Sequence, residues 1–184
     1  MKQSATGTKK RLLLIIILGI FTVVFLQSCA FTKYEVEGES MMPTLQDGNL
    51  LIVNKLGVRF GDVERFDIIV FQGNTDDYVK RIIGLPGDEL EYKDDTLYIN
   101  GKDINEPFLN SYKLKLVGGN LTGDFTLEEV TGETIVPEES YFVLGDNRLG
   151  SWDSRHFGLI KKNQIVGKVD IRYWPAGDWY FDFD

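Results

Sequence analysis

Residues 36–45 read Val-Glu-Gly-Glu-Ser-Met-Met-Pro-Thr-Leu, and the rest of the chain is interpreted outward from this segment. Gly38 allows backbone conformations that a side chain forbids, and Pro43 favours an extended conformation for Met42. The segment is therefore predicted to be taut and non-helical, with the Ser40 hydroxyl held in the open. A serine before a turn is ordinarily a surface residue, so the hypothesis that Ser40 is a nucleophile requires a base from elsewhere in the chain.

The composition and charge exclude several classes of protein. The chain has 184 residues, enough for one domain of ordinary size and a short appendage. Its formal net charge is -8 and it has no stripe of basic residues, so we expect no nucleic-acid partner. Cys29 and His156 are the only cysteine and histidine, which leaves neither an intrachain disulfide nor the usual zinc ligands. We therefore predict chemistry without a metal or a cofactor.

The N-terminus has the pattern of an export segment. Basic residues precede Leu12–Leu26, which is apolar except for Thr22, and counting on to Ala30 gives 19 residues. That length makes about 28 Å of helix, close to the roughly 30 Å of a bilayer core. Because basic residues mark the cytoplasmic side, the pattern predicts an anchor in the lipid bilayer with a cytoplasmic N-terminus.

Three segments follow from this prediction: a cytoplasmic N-terminus over 1–11, a transmembrane anchor over 12–30 and an extracytoplasmic domain over 31–184. The sequence Ser28-Cys29-Ala30 leaves two alternatives open at this point. One is a cleaved signal peptide with a small-x-small site, and the other is a lipoprotein acylation site, which the bulky Gln27 fits poorly. All three interpretations export the residues that follow.

Beyond Ala30 the chain shows no helical periodicity of useful length. Short runs of β-branched and aromatic residues are separated by Gly, Asp and Asn, which predicts an all-β domain of antiparallel sheets. Asn105–Glu133 is polar and glycine-bearing, and we interpret it as an excursion with at most weak strands. The predicted strands are Leu50–Leu56, Asp67–Gln72, Tyr78–Leu85, Glu89–Lys93, Thr96–Ile99, Glu139–Leu144 and Gln164–Tyr173.

Two residues compete as the base that would activate Ser40. His156, with Asp146 or Asp153 as its partner, would complete a triad, but a lone histidine is more often a surface or packing residue. Lys80 is preferred because a strand places it on one face between Tyr78 and Ile82, where apolar neighbours disfavour the ammonium form. A lysine base needs its pKa lowered by roughly 2–3 units. The competing interpretation is a lysine whose amine reaches solvent.

A third cluster, residues 145–158, follows an apolar strand and is dense in polar side chains. Ser151 or Ser154 would offer an acceptor that orients a neutral lysine. Paired charges would brace the loop, with Arg81 reaching in from the opposite face of the Lys80 strand. The charged members of the loop are Asp146, Arg148, Asp153 and Arg155.

Together these segments resemble bacterial type I signal peptidases in their compact, single-anchor Gram-positive form. The matching blocks, in the order of the family, are residues 37–45, 65–71, 78–88 and 145–158. The resemblance implies an all-β serine endopeptidase domain with one N-terminal transmembrane helix. It also implies a single-pass protein of the cell membrane whose catalytic domain lies outside and removes signal peptides from secretory preproteins beside small residues.

The resemblance also implies a role for each site residue. Ser40 would attack the scissile carbonyl, and Lys80 would accept its proton and return it to the leaving amine. Ser151 would position the lysine. The pairs Asp146 with Arg81 and Asp153 with Arg155 would hold the site together, and the Ser40 backbone N–H would form one arm of the oxyanion hole.

Two positions depart from the family pattern. Gly38 stands where some members carry a serine that donates the second oxyanion hydrogen bond. In this chain the second donor would be a backbone N–H or water. Phe66 stands where glycine is usual. The resemblance favours a retained anchor, because cleavage at Ala30 would release the domain, although Ser28-Cys29-Ala30 remains a candidate self-cleavage site. The alternatives are a related self-cleaving serine–lysine protease of the repressor type and a non-enzymatic exported lipoprotein or binding module.

Overall fold

The structure is a computed structural model that describes residues 4–60, 63–73, 75–115 and 118–174, without the side chains of 4–9, 23–29, 59–60 and 174. The last ten residues of the predicted catalytic domain, 175–184, lie outside this description. The strands are Phe31–Glu35 (β1), Leu50–Asn54 (β2), Ile68–Gln72 (β3), Asp77–Gly84 (β4), Leu90–Lys93 (β5), Thr96–Ile99 (β6), Lys102–Ile104 (β7), Phe125–Thr126 (β8), Ser140–Leu144 (β9), Ile160–Lys161 (β10) and Ile165–Trp174 (β11).

A long helix, Ser4–Ala30 (α1), is followed directly by β1. The shorter helices are Lys55–Phe60 (α2), Asn110–Lys113 (α3), Leu127–Thr131 (α4) and Ser154–Phe157 (α5), with single 3-10 turns at Pro107–Leu109 and Lys162–Gln164. Within the described part of the chain, no helix combines the length and the apolar character needed to cross a membrane. Residues 23–29 of the predicted anchor lie outside the described side chains.

The strands form two antiparallel sheets, which confirms the predicted all-β fold class. The larger sheet has the order β1-β2-β11-β3-β4-β9-β10, and the smaller has the order β7-β6-β5-β8. The predicted hairpin joins β5 to β6. At its turn Asp94 and Asp95 both have positive φ, 49° and 59°, as a two-residue hairpin turn of type I′ requires. Most of the predicted strands therefore exist, within one or two residues of their expected ends.

One predicted strand is too long. It was expected to run to Leu56, but β2 ends at Asn54 and α2 begins at Lys55. The Asn54 side-chain oxygen accepts hydrogen bonds from the N–H groups of Leu56 and Gly57, both at 3.0 Å. An asparagine that caps the first free N–H groups in this way favours a helix over continued strand. The excursion likewise contains the short helices α3 and α4 beside the weak strand β8.

Apolar packing fixes the loop between β1 and β2, which carries Ser40. Met41 and Leu45 are fully buried in a cluster with residues of β2, β3 and β11. Burial of side chains of this size contributes roughly 1.5–3 kcal/mol each. The two residues therefore anchor the loop on both sides of the Met42-Pro43 dipeptide and hold Ser40 against the larger sheet.

Candidate active site

Ser40 lies in a turn rather than in a regular element, as the sequence predicts. The Met42 N–H donates to Glu39 O at 3.1 Å, and the Leu45 N–H donates to Met41 O at 2.9 Å. These bonds close the turn around the serine while Met41 points into the core. Ser40 itself stays half-buried, with its hydroxyl facing the sheet.

The sheet presents Lys80 to this hydroxyl. Lys80 is in β4, opposite Ile69 of β3, and its Nζ lies 2.7 Å from Ser40 Oγ. Lys80 Nζ also donates to Val79 O at 3.0 Å, and only 2% of the residue is exposed. The lysine therefore does not reach solvent: its amine is buried against the serine.

Burial lowers the pKa of Lys80 from its ordinary 10.5 to about 8, and the charges of Asp153 and Asp146 oppose that shift to a smaller degree. An ammonium group removed from water loses hydration that no adjacent carboxylate fully replaces here. A substantial fraction of the amine is therefore neutral near pH 8, which is the form that can accept a proton from a hydroxyl.

The loop after β9 lies directly against the Ser40 loop. A Cβ at Gly145 would lie 2.4 Å from Ser40 O and 2.2 Å from Ser151 Oγ, so no side chain fits there. The Asn147 N–H donates to Ser40 O at 3.0 Å. Glycine at position 145 is therefore required for the two loops to approach this closely.

A buried ion pair joins β4 to the same loop. Arg81 Nε and Nη2 donate to the two carboxylate oxygens of Asp146 at 2.9 and 2.8 Å, and both side chains are fully buried. Thr44 Oγ1 donates to Asp146 Oδ2 at 2.5 Å. The Asp146 carboxylate thus ties the Ser40 loop, β4 and the β9 loop together at one point.

Asp153 and Arg155 form a second bidentate pair. Arg155 Nε and Nη2 donate to the Asp153 oxygens at 2.9 and 2.8 Å, and the Gly145 N–H donates to Asp153 Oδ2 at 3.1 Å. Burial opposes the charge of Asp153, but the hydrogen bonds and charge of Arg155 hold its pKa below the ordinary value. The pair fixes the shape of the β9 loop behind Gly145.

Ser151 and His156 have different surroundings from those of Lys80. Ser151 Oγ is buried and has no well-formed hydrogen bond within the described residues. It still lies close enough to Asp153 to help lower the pKa of that carboxyl. His156 Nδ1 accepts from the Asp153 N–H at 3.4 Å, and its ring stacks on Trp152. The described contacts of His156 do not include Ser40. Ser154 Oγ accepts from the Val143 N–H at 2.9 Å.

Sequence reasoning did not find the environment of Arg148. Its guanidinium is buried and donates to Glu106 Oε1 at 2.5 Å, to Tyr92 Oη at 2.9 Å and to Thr122 Oγ1 at 3.0 Å. Arg148 Nε donates to Gly145 O at 3.1 Å. These partners belong to the smaller sheet and the excursion, so Arg148 links that part of the fold to the site.

The two departures from the family pattern have structural explanations. Gly38 has φ of 84°, and its N–H already donates to Asp47 Oδ1 at 2.7 Å. Phe66 has φ of 75°, a conformation that favours glycine, and its carbonyl accepts from Arg81 Nη1 at 2.8 Å. The Phe66 ring packs edge-on against Phe108 with centroids 5.2 Å apart. By contrast, the Ser40 N–H has no acceptor among the described residues.

A cleft of about 240 Å³ opens at Ser40 and Lys80. Its walls come from the end of β1, the Ser40 loop and the start of β4, and they include Val36, Met41 and Val79. At one end Tyr34 Oη donates to Asp77 Oδ2 at 2.7 Å. Ser40 and Lys80 therefore line one small cleft.

The fold and the site define a class: a β-sheet hydrolase whose serine hydroxyl is hydrogen bonded to a buried lysine amine. The family described as signal peptidase, peptidase S26, matches residues 9–174. The chain is 63% identical to a signal peptidase I of Bacillus caldolyticus over 166 residues, covering 90% of this chain and 91% of that protein. It is 46% identical to signal peptidase IB of Staphylococcus aureus, covering 96% of each.

A solved structure supports the same assignment. A crystal structure of a signal peptidase I from Enterococcus faecalis is 50% identical, with a TM-score of 0.57, covering 58% of this chain and 96% of that one. The chain belongs to the signal peptidase family, peptidase S26, and is a serine endopeptidase of that family. The resemblance drawn from the sequence is confirmed, and the alternative of a non-enzymatic binding module is set aside.

Proposed function

We propose that the chain removes signal peptides from secretory preproteins by acyl-enzyme catalysis, with Ser40 as the nucleophile and Lys80 as the general base. The observation that carries the mechanism is the 2.7 Å contact between Ser40 Oγ and the buried Lys80 Nζ. A serine hydroxyl becomes a competent nucleophile when a base within hydrogen-bond distance takes its proton. Lys80 meets that condition, whereas His156 contacts Asp153 and Trp152.

Lys80 would carry the proton through both halves of the reaction. Ser40 Oγ attacks the scissile carbonyl carbon, and its proton passes to Lys80 Nζ. The oxyanion of the tetrahedral intermediate accepts a hydrogen bond from the Ser40 N–H. The C–N bond then breaks as Lys80 gives the proton to the leaving amine. Water, deprotonated by Lys80, hydrolyses the resulting ester and restores the Ser40 hydroxyl.

The remaining predicted residues keep supporting roles in this proposal. The pairs Arg81 with Asp146 and Asp153 with Arg155 brace the β9 loop against Ser40 and Lys80. Ser151 lies buried beside Gly145, and its predicted role in positioning Lys80 stays a prediction. Gly38 would shape the oxyanion region through its backbone, since its N–H is bonded to Asp47.

The proposed topology keeps residues 1–11 in the cytoplasm, 12–30 as the anchor in the lipid bilayer and 31–184 outside. The apolar run and the basic residues before it support this arrangement. Helix α1 ends at Ala30, and Ser40 follows ten residues later, at most about 35 Å away in an extended chain. An anchored chain would therefore keep its nucleophile near the membrane surface, where cleavage beside small residues is proposed to occur.

Ser40→Ala is expected to abolish preprotein cleavage, and His156→Ala to leave most of it, because of these two residues only Ser40 contacts the buried amine. Cleavage of a radiolabelled preprotein by the full chain in detergent micelles measures both. Ser111→Ala, at an exposed helix position, is the matched control and should cleave like the unmodified chain. Loss of cleavage with His156→Ala but not with Ser40→Ala would refute the proposed dyad.

Activity is also expected to rise with pH. Lys80 must be neutral to accept the proton, and its pKa is about 8, so kcat/KM should rise about tenfold per pH unit below that value and level off above it. A pH profile of kcat/KM between pH 6 and 10 measures this. A profile that instead levels off near pH 6.5, the ordinary range of histidine, would assign the base to His156.

A further inference from the structure

We propose that Asn147 is a positioning residue for the oxyanion hole, acting through the peptide group that joins Glu39 to Ser40. The inference deepens the proposed function and rests on it, because it concerns the Ser40 N–H as oxyanion donor. Asn147 lies directly after Asp146 in the β9 loop, and it contacts the Ser40 loop through both its backbone and its side chain.

Glu39 O and the Ser40 N–H belong to the same peptide unit, which is trans, so the carbonyl and the N–H point in opposite directions. Asn147 Nδ2 donates to Glu39 O at 3.1 Å. A donor that fixes the carbonyl also fixes the direction of the N–H on the other side. The Ser40 N–H has no acceptor among the described residues, so it is available to a ligand.

Asn147 also holds the next carbonyl along the chain, that of Ser40. The Asn147 N–H donates to Ser40 O at 3.0 Å. One residue therefore holds the carbonyl on each side of the nucleophile. Together these two bonds restrict rotation of both peptide groups that flank Ser40, without touching the Ser40 hydroxyl or the Lys80 amine.

The Asn147 amide has a defined orientation. Its Oδ1 accepts from the Gly150 N–H at 3.2 Å, which directs Nδ2 towards Glu39. A Cβ at Gly150 would lie 2.7 Å from Asn147 Nδ2, so the turn closes tightly over the amide. The side chain is thus oriented by its own loop before any substrate arrives.

The Asn147 contact also strengthens the donor. A hydrogen bond to a peptide carbonyl polarises the peptide group, and chains of hydrogen bonds reinforce one another by about 10–30% per bond. The same contact therefore orients the Ser40 N–H and makes it a better donor to a developing oxyanion. The stabilisation is larger in the transition state than in the ground state, because the carbonyl oxygen of the bound substrate carries less negative charge than the oxyanion.

The test is Asn147→Asp in the full chain, because aspartate keeps the size, the Oδ1 acceptor and the backbone N–H. It replaces the side-chain N–H donor to Glu39 O by a second oxygen and adds a negative charge, while Glu39 O keeps its bond from the Met42 N–H. We expect kcat to fall about 10- to 100-fold, less than the 10²–10³ for loss of an oxyanion donor itself, with KM within about twofold. Asn120→Ala is the matched control, because it removes an exposed amide bonded to Asp124 and should change neither constant.

A second readout separates positioning from a structural role. A peptide aldehyde forms a hemiacetal oxyanion with Ser40, whereas a peptide with a reduced scissile bond carries no carbonyl. Asn147→Asp should weaken binding of the aldehyde by about the same factor as it lowers kcat/KM, and it should leave binding of the reduced peptide unchanged. Asn147→Ala, which adds no charge, should show the same selective loss, and this separates the missing donor from repulsion by the new carboxylate of Asn147→Asp. With Asn147→Ala the apparent pKa of activity should stay where it is, whereas the carboxylate of Asn147→Asp should raise it, as the charges of Asp146 and Asp153 do.

Equal loss of both ligands, or an unchanged kcat, would overturn the assignment. Failure of the proposed function itself looks different: the unmodified chain would then not cleave, or Ser40→Ala would still cleave. An Asn147 variant with normal kcat in a chain whose cleavage requires Ser40 counts only against the role of Asn147.

Discussion

Lys80→Met is expected to reduce preprotein cleavage by roughly 10⁴-fold or more, the scale seen when one member of a nucleophile–base unit is removed. The same change should leave the fold at least as stable. The pKa of Lys80 is lowered from 10.5 to about 8, so its ammonium form is disfavoured in the folded state. That destabilisation, on the order of 3 kcal/mol, is fully present below pH 8 and fades between pH 8 and 10.5 as the unfolded lysine also loses its proton.

Methionine fills a similar volume without the charge, and it loses hydrogen bonds to Ser40 and Val79 of about 0.5–1.5 kcal/mol each. At pH 7 we therefore expect an unchanged or slightly higher free energy of unfolding, measured by urea denaturation of the full chain in micelles. Lys161→Met is the matched control, since Lys161 Nζ also lies 3.0 Å from a serine, Ser140, but the residue is exposed. It should cleave normally. A large loss of stability with Lys80→Met would mean that the buried amine serves the fold.

Arg81→Met is expected to destabilise the domain by about 3–5 kcal/mol, because it leaves the Asp146 carboxylate buried without its cation. Arg81 is fully buried, donates to both Asp146 oxygens and lies over the Phe108 ring at 3.9 Å. Its loss also frees the β9 loop from β4, so cleavage should fall together with stability. Urea denaturation and preprotein cleavage by the full chain measure the two effects.

Two further variants make this interpretation specific. Glu139→Gln removes the partner of Lys162 in an exposed pair, in which the Glu139 side chain is 72% accessible and that of Lys162 is 32% accessible. This change should lower the free energy of unfolding by only about 0–1 kcal/mol. Adding Asp146→Asn to Arg81→Met should recover part of the lost stability, because the orphaned charge is then gone. If the double variant is as unstable as Arg81→Met alone, the loss comes from packing against Phe108 and not from the carboxylate.

The sequence predicts those features whose signals are local. Period-2 alternation places Lys80 and Arg81 on opposite faces of β4, and the structure has one beside Ser40 and the other beside Asp146. The hairpin at Asp94 and Asp95 is likewise encoded within a few residues. The shape of the Ser40 loop follows from Gly38 and from the apolar residues on either side of Pro43.

Other features were not predicted, most of them because they depend on partners far along the chain. Arg148 bonds to Tyr92 and Glu106, which are 56 and 42 positions away. Nothing in the local pattern of either partner distinguishes it from an ordinary strand tyrosine or loop glutamate. The helix after Asn54 depended on a side-chain cap that competed successfully with strand propensity. Phe66 adopts a glycine-like φ because tertiary contacts to Arg81 and Phe108 stabilise it.

The buried bond between Glu106 and Arg148 has a consequence for the cooperativity of unfolding. If the smaller sheet opened alone, the Arg148 guanidinium would lose its counter-ion Glu106 and its bonds to Tyr92 and Thr122, at a cost that neutral contacts would not impose. Opening of the smaller sheet by itself is therefore costly unless the β9 loop, which carries Arg148, is released as well. The excursion, although peripheral in the chain, shares one folding unit with the catalytic cleft.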